Sequence, residues 1–320
     1  MLILILIILF WLIWVSSTPV GEASGQKVLY ERNSPYQQIS VIQNGNLRYL
    51  RFKNSNQSAL DLDDPLRMVF PYTSYLHLGV VARPQPAKAL FIGLGGGSAI
   101  RKFLHDYPSL TTVDAVEIDP EVVKIARTYF ALPADPRLKI SILDGRLFVE
   151  QSGPAIAAGH TNPYDLVIID AFTASAIPRH LTTFEFLRAV RKILSPGGVV
   201  VANLIGALSG PHSRFFRSMV RTYGTVFPQI YLFPVGGWAG ESDVTVRNII
   251  LVATLTPDRW DRKVWQSKAA ACYKQKLITE EVPDFVATLI EEADLEDAWF
   301  NEIPVLTDDH VPYDPQNHQL

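Results

Sequence analysis

The stretch AKALFIGLGGGSAIRKFLHDYPSLTTVDAVEID, residues 87–119, decides the fold. Its apolar opening, ALFI, is too short for a helix and suits a strand buried on both faces. The turn Gly93-Leu94-Gly95-Gly96-Gly97-Ser98 follows, and SAIRKFLHDY then reads as a helix. Glycines in such a strand-to-helix turn let the backbone approach a ligand and leave helix N–H groups free to bind it. A second strand, VDAVEID, ends in Glu117, 24 residues after Gly93. A carboxylate at that place can accept both hydroxyls of a ribose. Asp119 reads differently, as the N-cap of the helix that Pro120 opens.

Working outward, the same alternation continues. PEVVKIARTYF is a helix, LKISILD a third strand, DLVIID a fourth and GGVVVANL a fifth, with a helix near residues 183–194 before it. Late strands stand at QIYLFPV and NIILVATL with no helical pattern between them, which predicts an antiparallel pair at the sheet edge. The fold class expected is therefore α/β, a Rossmann-like sheet of the S-adenosylmethionine (SAM) methyltransferase type. Upstream, QQISVIQNG and NLRYLRF flank an Asn44-Gly45 hairpin signal and predict a small β-rich segment. Asp63-Asp64-Pro65 is expected to start one helix running to about Val81. The divisions expected are an apolar N-terminus over 1–20, a linker over 21–35 and a β-rich segment over 36–60. The nucleotide-binding domain follows over 61–260, and a helical extension and tail over 261–320.

Composition bounds the function. The chain has 320 residues, 48% of them apolar, and a formal net charge of −3, so no basic surplus drives binding to a nucleic-acid backbone. Cys272 is the one cysteine, which excludes an intramolecular disulfide and a CxxC couple. The seven histidines show no ligand spacing, so no metal site is expected. Residues 1–15 are all apolar, and no Lys or Arg precedes them, the first being Lys27. This pattern suits a membrane anchor that leaves the main domain in the cytoplasm. A cleaved signal or a mis-assigned start are the alternatives.

Asp144 follows the third strand in LDGR, and Asp170 follows the fourth in IIDAF. Strand C-termini of an open parallel sheet line one crevice, so Glu117, Asp144 and Asp170 are expected to converge there. Three carboxylates in one place repel unless a ligand or hydrogen bonds satisfy them, which points to a site rather than to stability. Asp144 has a competing reading as a turn residue before Gly145. His180 reads as a solvent-exposed loop histidine, and Trp238 as either a cover over the ligand or a packing residue under a loop.

The stretches YQQISV, IGLGGGS, VEIDPEVVKIARTYF, LDGRLF, YDLVIIDAF, IPRHLTTFEF and LSPGGVVVANL fall in order across residues 36–204. Together they resemble spermidine synthases, and still more the spermidine synthase-like proteins often fused to membrane transporters. VLTDDHVPYD, near the C-terminus, is similar to the closing motif of that fused group. The resemblance implies transfer of an aminopropyl group from decarboxylated SAM to an amine, with no metal or prosthetic group. It implies Asp170 as the acceptor-side base. It places Gln37, Gly93, Gly95, Gly97, Glu117, Asp144 and Gly145 about the donor, with Gln37 near the aminopropyl group, Glu117 on ribose and Asp144 by adenine. It also implies a homodimer built on the β-rich segment. The chain departs from the family at three places. Gly96 stands where an acid is usual in the glycine turn, Thr173 where a second acid follows Asp170, and Tyr72-Thr73 where a Tyr-Gln pair is usual. Two other readings stay open: methyl transfer from intact SAM, motivated by Gly96, and a non-catalytic nucleoside- or polyamine-binding domain accompanying a transporter.

Overall fold

Seven strands of the main sheet come from the apolar runs that follow residue 87: β5 (Lys88–Ile92), β6 (Thr112–Glu117), β7 (Leu138–Ile142), β8 (Tyr164–Ile169), β9 (Leu194–Gly206), β10 (Gln229–Pro234) and β11 (Arg247–Thr254). The computed structural model describes residues 25–174, 176–236, 244–279, 281–291 and 303–310. The strand order is β10-β11-β9-β8-β5-β6-β7. β5 to β9 pair in parallel, and β11 lies antiparallel between β9 and β10. The expected late antiparallel pair is thus present, with β11 inserted inside the edge. The chain leaves β5 toward β6 and β7, then returns to β8 and β9 on the other side. That reversal opens a crevice at the C-terminal ends of β5 and β8.

A separate antiparallel sheet holds β1 (Gln26–Asn33), β2 (Gln38–Asn44), β3 (Leu47–Phe52) and β4 (Ser55–Asp61) in that order. Asn44 pairs with Leu47 across the Gly45-Asn46 turn. β1 falls within residues read from sequence as linker. Only Leu29 and Tyr30 of its eight residues are half-buried, and a bulge interrupts its register with β2. No alternating apolar pattern therefore marks it, and pairing with β2 makes it a strand.

Helices cover both faces of the main sheet. Ala89 and Phe91 of β5 point to one core, and Leu90 and Ile92 to the other. The first core takes α1 (Pro71–Tyr75), α2 (Leu78–Ala82), α3 (Ser98–Asp106) and part of α4 (Pro120–Tyr129). The second takes α5 (Gly145–Ala157), α6 (Phe184–Ile193) and α7 (Arg214–Val226). The other side of α4, with Val122 and Ile125, packs on Ile39, Leu50 and Leu60 of the small sheet. Asp119 caps α4 by accepting from the Glu121 N–H at 2.9 Å. Where one helix was expected from Asp64 to Val81, the chain makes a turn and two short helices. Asp64 accepts from the Leu66 N–H, closing a local turn. Pro71 has no N–H to donate, so it can only open a helix, and α1 begins there.

α8 (Arg262–Lys274) and α9 (Val282–Phe285) complete the first face. Trp265 of α8 is fully buried against Tyr231 and Phe233 of β10, so the segment after residue 261 shares the main core. Residues 303–310 lie along α6 and α7, where the Phe184 N–H donates to the Leu306 carbonyl at 2.8 Å. Residues 1–24, with the apolar run, lie outside the described residues, as do Trp238, Glu241 and Asp243. Among the described residues no helix is long and apolar enough to cross a membrane.

Candidate active site

Gly93 ends β5 in a backbone conformation of φ 99°, and a Cβ there would lie 2.2 Å from the Asp170 carbonyl oxygen. Only glycine allows β5 and the end of β8 to come this close. The result is a cavity of about 290 Å³ at the C-terminal strand ends. Gln37, Gly93, Gly95, Glu117, Asp144, Gly145 and Asp170 all line it. Gly97, expected with them, does not. It is the residue before α3, at φ 75°, and a Cβ there would meet Leu132 Cδ1 at 2.5 Å. Its glycine serves the turn and the packing under it.

Glu117 is held from both sides by backbone. Its Oε2 accepts from the Leu94 N–H at 3.2 Å and its Oε1 from the Asp119 N–H at 3.0 Å. Burial pushes this carboxyl up from its ordinary value, and the two N–H donors pull against that shift. A carboxylate fixed in this way, at the end of β6 beside the glycine turn, can take a diol.

Asp144 lines the cavity and also has a local structural role. It is the N-cap of α5, its Oδ1 accepting from the Arg146 and Leu147 N–H groups at 2.9 and 3.1 Å. Its Oδ2 lies 2.7 Å from Nε2 of His180. His180 is exposed, as expected, yet it also lines the cavity. Beyond that reading, its ring contacts Asp144 and so bridges the loop after β8 to the start of α5. Nothing in the sequence near His180 signals Asp144, because 36 residues separate them.

Asp170 sits at the opposite end of the cavity. Asn203 Nδ2 donates to its Oδ1 at 2.9 Å, and Tyr72 Oη to its Oδ2 at 3.3 Å. Asn248 Nδ2 in turn donates to Asn203 Oδ1 at 2.9 Å. Desolvation raises the Asp170 carboxyl above its ordinary value, against the pull of Asn203 and Tyr72. Asn203, Asn248 and the bonding role of Tyr72 were missed in the sequence reading. A signal for Asn203 was there: it is the one strongly polar side chain in the run VVVANLI of β9. A polar group buried in such a strand needs a partner.

Two of the departures from the family are also placed. Thr173 lines the cavity, but its hydroxyl is engaged inside its own loop, donating to the Ala176 carbonyl at 3.1 Å. Gly96 does not line the cavity. A Cβ there would meet Ser58 Cβ and Phe130 Cδ1, each at 2.9 Å, and the Gly96 N–H donates to Ser58 Oγ at 2.8 Å. β4 of the small sheet therefore fills the space next to Gly96.

Comparison with known proteins agrees with this geometry. The family model for the spermine/spermidine synthase domain matches residues 69–235, just over half of the chain. A polyamine aminopropyltransferase from Vibrio vulnificus is 29% identical over 314 residues, which cover 96% of this chain and 97% of that protein. Putrescine N-methyltransferase 1 from Nicotiana tabacum is 33% identical over 202 residues, covering 59% of this chain and 49% of that one. Among solved structures, a probable spermidine synthase from Corynebacterium glutamicum superposes with a TM-score of 0.68. At 21% identity, covering 93% of this chain and 99% of that one, it supports the fold. With the domain match, the sheet order and the strand-end carboxylates in agreement, the chain belongs to the spermine/spermidine synthase family.

Proposed function

We propose that this protein is an aminopropyltransferase that moves the aminopropyl group of decarboxylated SAM to an amine. The observation that carries this reading is Asp170, a carboxyl raised by desolvation and oriented by Asn203 and Tyr72, at one end of a cavity whose other wall holds Glu117. The named relatives, polyamine aminopropyltransferases among them, point the same way.

In this reading Glu117 accepts the ribose hydroxyls, and the glycine turn lets the nucleoside lie against its backbone. Asp144 and Gly145 border the base, and Gln37, from the turn between β1 and β2, borders the aminopropyl arm. The amine approaches from the Asp170 side. Its nitrogen lone pair attacks the methylene carbon bonded to the sulfonium. As the N–C bond forms, the C–S bond breaks, and its electron pair stays on sulfur in neutral methylthioadenosine. The proton shed by the nitrogen goes to Asp170, whose raised affinity for it suits a general base. The sulfonium is a ready leaving group, so the protein's main work is alignment.

Methyl transfer is the second reading, and the 33% identity to a putrescine N-methyltransferase favours keeping it. The products separate the two. Incubation with each donor and an amine panel is expected to release methylthioadenosine from decarboxylated SAM. Release of S-adenosylhomocysteine from intact SAM, with none of the other product, would replace aminopropyl transfer by methyl transfer. Residues 1–15 would tether the domain at the cytoplasmic face of a membrane, and the small sheet would support a homodimer. Fractionation of the full chain against a chain lacking residues 1–25 tests the tether: equal recovery in the soluble fraction would remove it.

A further inference from the structure

The turn Ser34-Pro35-Tyr36-Gln37 joins β1 to β2 and puts Tyr36 and Gln37 into the wall of the cavity. One hydroxyl orders it. Ser34 Oγ accepts from the Tyr36 and Gln37 N–H groups, each at 3.1 Å, and donates to the Gln37 carbonyl at 3.1 Å. The Ser34 N–H donates to the same carbonyl at 2.9 Å. Pro35 has no N–H, so every backbone donor of residues 34–37 is bonded inside the turn.

A serine hydroxyl has one hydrogen to donate and two lone pairs to accept with. Ser34 uses all of them on its own turn, and it stands outside the cavity wall. The pairing of β1 with β2 closes at Asn33 and Gln38, which leaves Gln37 one residue beyond the ladder. The conformation that carries Gln37 into the wall is therefore set by the bonds to Ser34. Pro35 and Tyr36 are exposed, so water can reach the turn if the hydroxyl is removed. The loss then falls on order rather than on stability. A loosened turn has more conformers to give up when a ligand binds against it.

We propose that Ser34 is a positioning residue for the aminopropyl arm of the donor: it holds Gln37 in the cavity wall through the backbone and touches no substrate itself. This rests on the aminopropyl-transfer reading, in which Gln37 borders that arm, and adds to it the group that sets Gln37 in place.

The test uses two ligands that share the nucleoside and differ in the arm, decarboxylated SAM and methylthioadenosine. Each is titrated calorimetrically into the parent, Ser34→Ala, Ser34→Thr, Gln37→Ala and the double variant Ser34→Ala/Gln37→Ala. The parent is read first: failure to bind decarboxylated SAM removes the donor reading and this inference with it. Gln37→Ala is expected to weaken decarboxylated SAM about tenfold and to leave methylthioadenosine within about twofold. No split between the two ligands in that variant takes Gln37 away from the arm and overturns the proposal. Ser34→Ala is expected to show the same split at about 3- to 10-fold, the effect of ordering one side chain and its turn, with the melting temperature little changed. Ser34→Thr keeps the hydroxyl and is expected to restore the parent ratio. Equal weakening of both ligands in Ser34→Ala, or of neither, overturns the positioning role while Gln37→Ala still upholds the donor reading. A threonine variant that behaves as Ser34→Ala overturns the role of the hydroxyl. The double variant is expected to bind decarboxylated SAM no more weakly than Gln37→Ala, because Ser34 acts through Gln37; losses that multiply would show that Ser34 acts elsewhere.

Discussion

At Asp170 desolvation lifts the carboxyl above its usual range, while Asn203 and Tyr72 supply donors to its ionised form. Because the folded-state value is raised, the folded protein holds this proton more tightly than the unfolded chain. Its favourable contribution to stability is present below the unfolded value and is lost as pH rises through the folded one. At pH 7 the ionised side chain therefore opposes folding. Asp170→Asn keeps the shape, removes that opposition and deletes the base. Thermal denaturation is expected to show a melting temperature equal to or a few degrees above that of the parent, while turnover falls by about two to four orders of magnitude. A variant that loses stability and keeps turnover would refute both assignments. The pH profile of kcat/KM should fall on the acid side with a midpoint above the ordinary carboxylate range. Sequence could propose Asp170 because an acid directly after a buried strand has few places to point. It could not reveal Tyr72 as a partner, since the pair is 98 residues apart and the short helix carrying Tyr72 was read as part of a longer one.

The elements were legible where periodicity was strong and silent where pairing alone makes the structure. β8 is buried at every residue and was plain in the sequence, whereas β1 has only two half-buried residues and was read as linker. α5 shows how an element and a site share one residue. Asp144 caps the helix through Oδ1 and meets His180 through Oδ2. The two roles separate by substitution, because asparagine caps about as well as aspartate and alanine does not. Asp144→Asn is expected to keep the melting temperature and weaken methylthioadenosine binding, since the carboxylate contact with His180 is lost and the loop loosens. Asp144→Ala is expected to lose a further ~1 kcal/mol of stability on top of that weakening. Calorimetry and thermal melts on both variants check this. Equal stability of the two variants would show that the cap contributes nothing, and unchanged binding in Asp144→Asn would show that His180 gains no hold on the loop from this carboxylate.

Across the whole molecule the site is enclosed by segments from both ends of the chain. The small sheet lines it through Ser58, which also accepts from the Gly96 N–H, and the segment 303–310 reaches its rim through the Asp308–Arg146 pair. Arg146, two residues after Asp144, makes a paired bond to Asp308, with both N–O distances 2.6 Å, and also reaches the His180 carbonyl at 3.5 Å. Thr183 Oγ1 donates to the same Asp308 at 2.7 Å, and the Asp308 N–H donates to Glu185. Hydrogen bonding from Arg146 holds the Asp308 carboxyl below its usual range. The chain end therefore ties the start of α5, the start of α6 and the loop carrying His180 into one arrangement. An exposed ion pair contributes little to stability, about 0.2–1 kcal/mol. The larger effect falls on the loop, because Arg146 released from Asp308 no longer fixes the His180 backbone. Asp308→Asn is expected to shift the melting temperature only slightly. Methylthioadenosine binding should weaken about 2- to 10-fold, the range in which residues outside a site modulate it. The depressed carboxyl adds a sign. With the folded-state value lowered, the contribution of Asp308 is present above its unfolded value and is lost as pH falls through the folded one. The gap in affinity between parent and Asp308→Asn should therefore be full at neutral pH and close only as the solution is acidified below the ordinary carboxylate range. Titrations at neutral and acid pH measure it, and a gap that stays constant across both would show that the ionised Arg146–Asp308 pair is not what couples the chain end to the site.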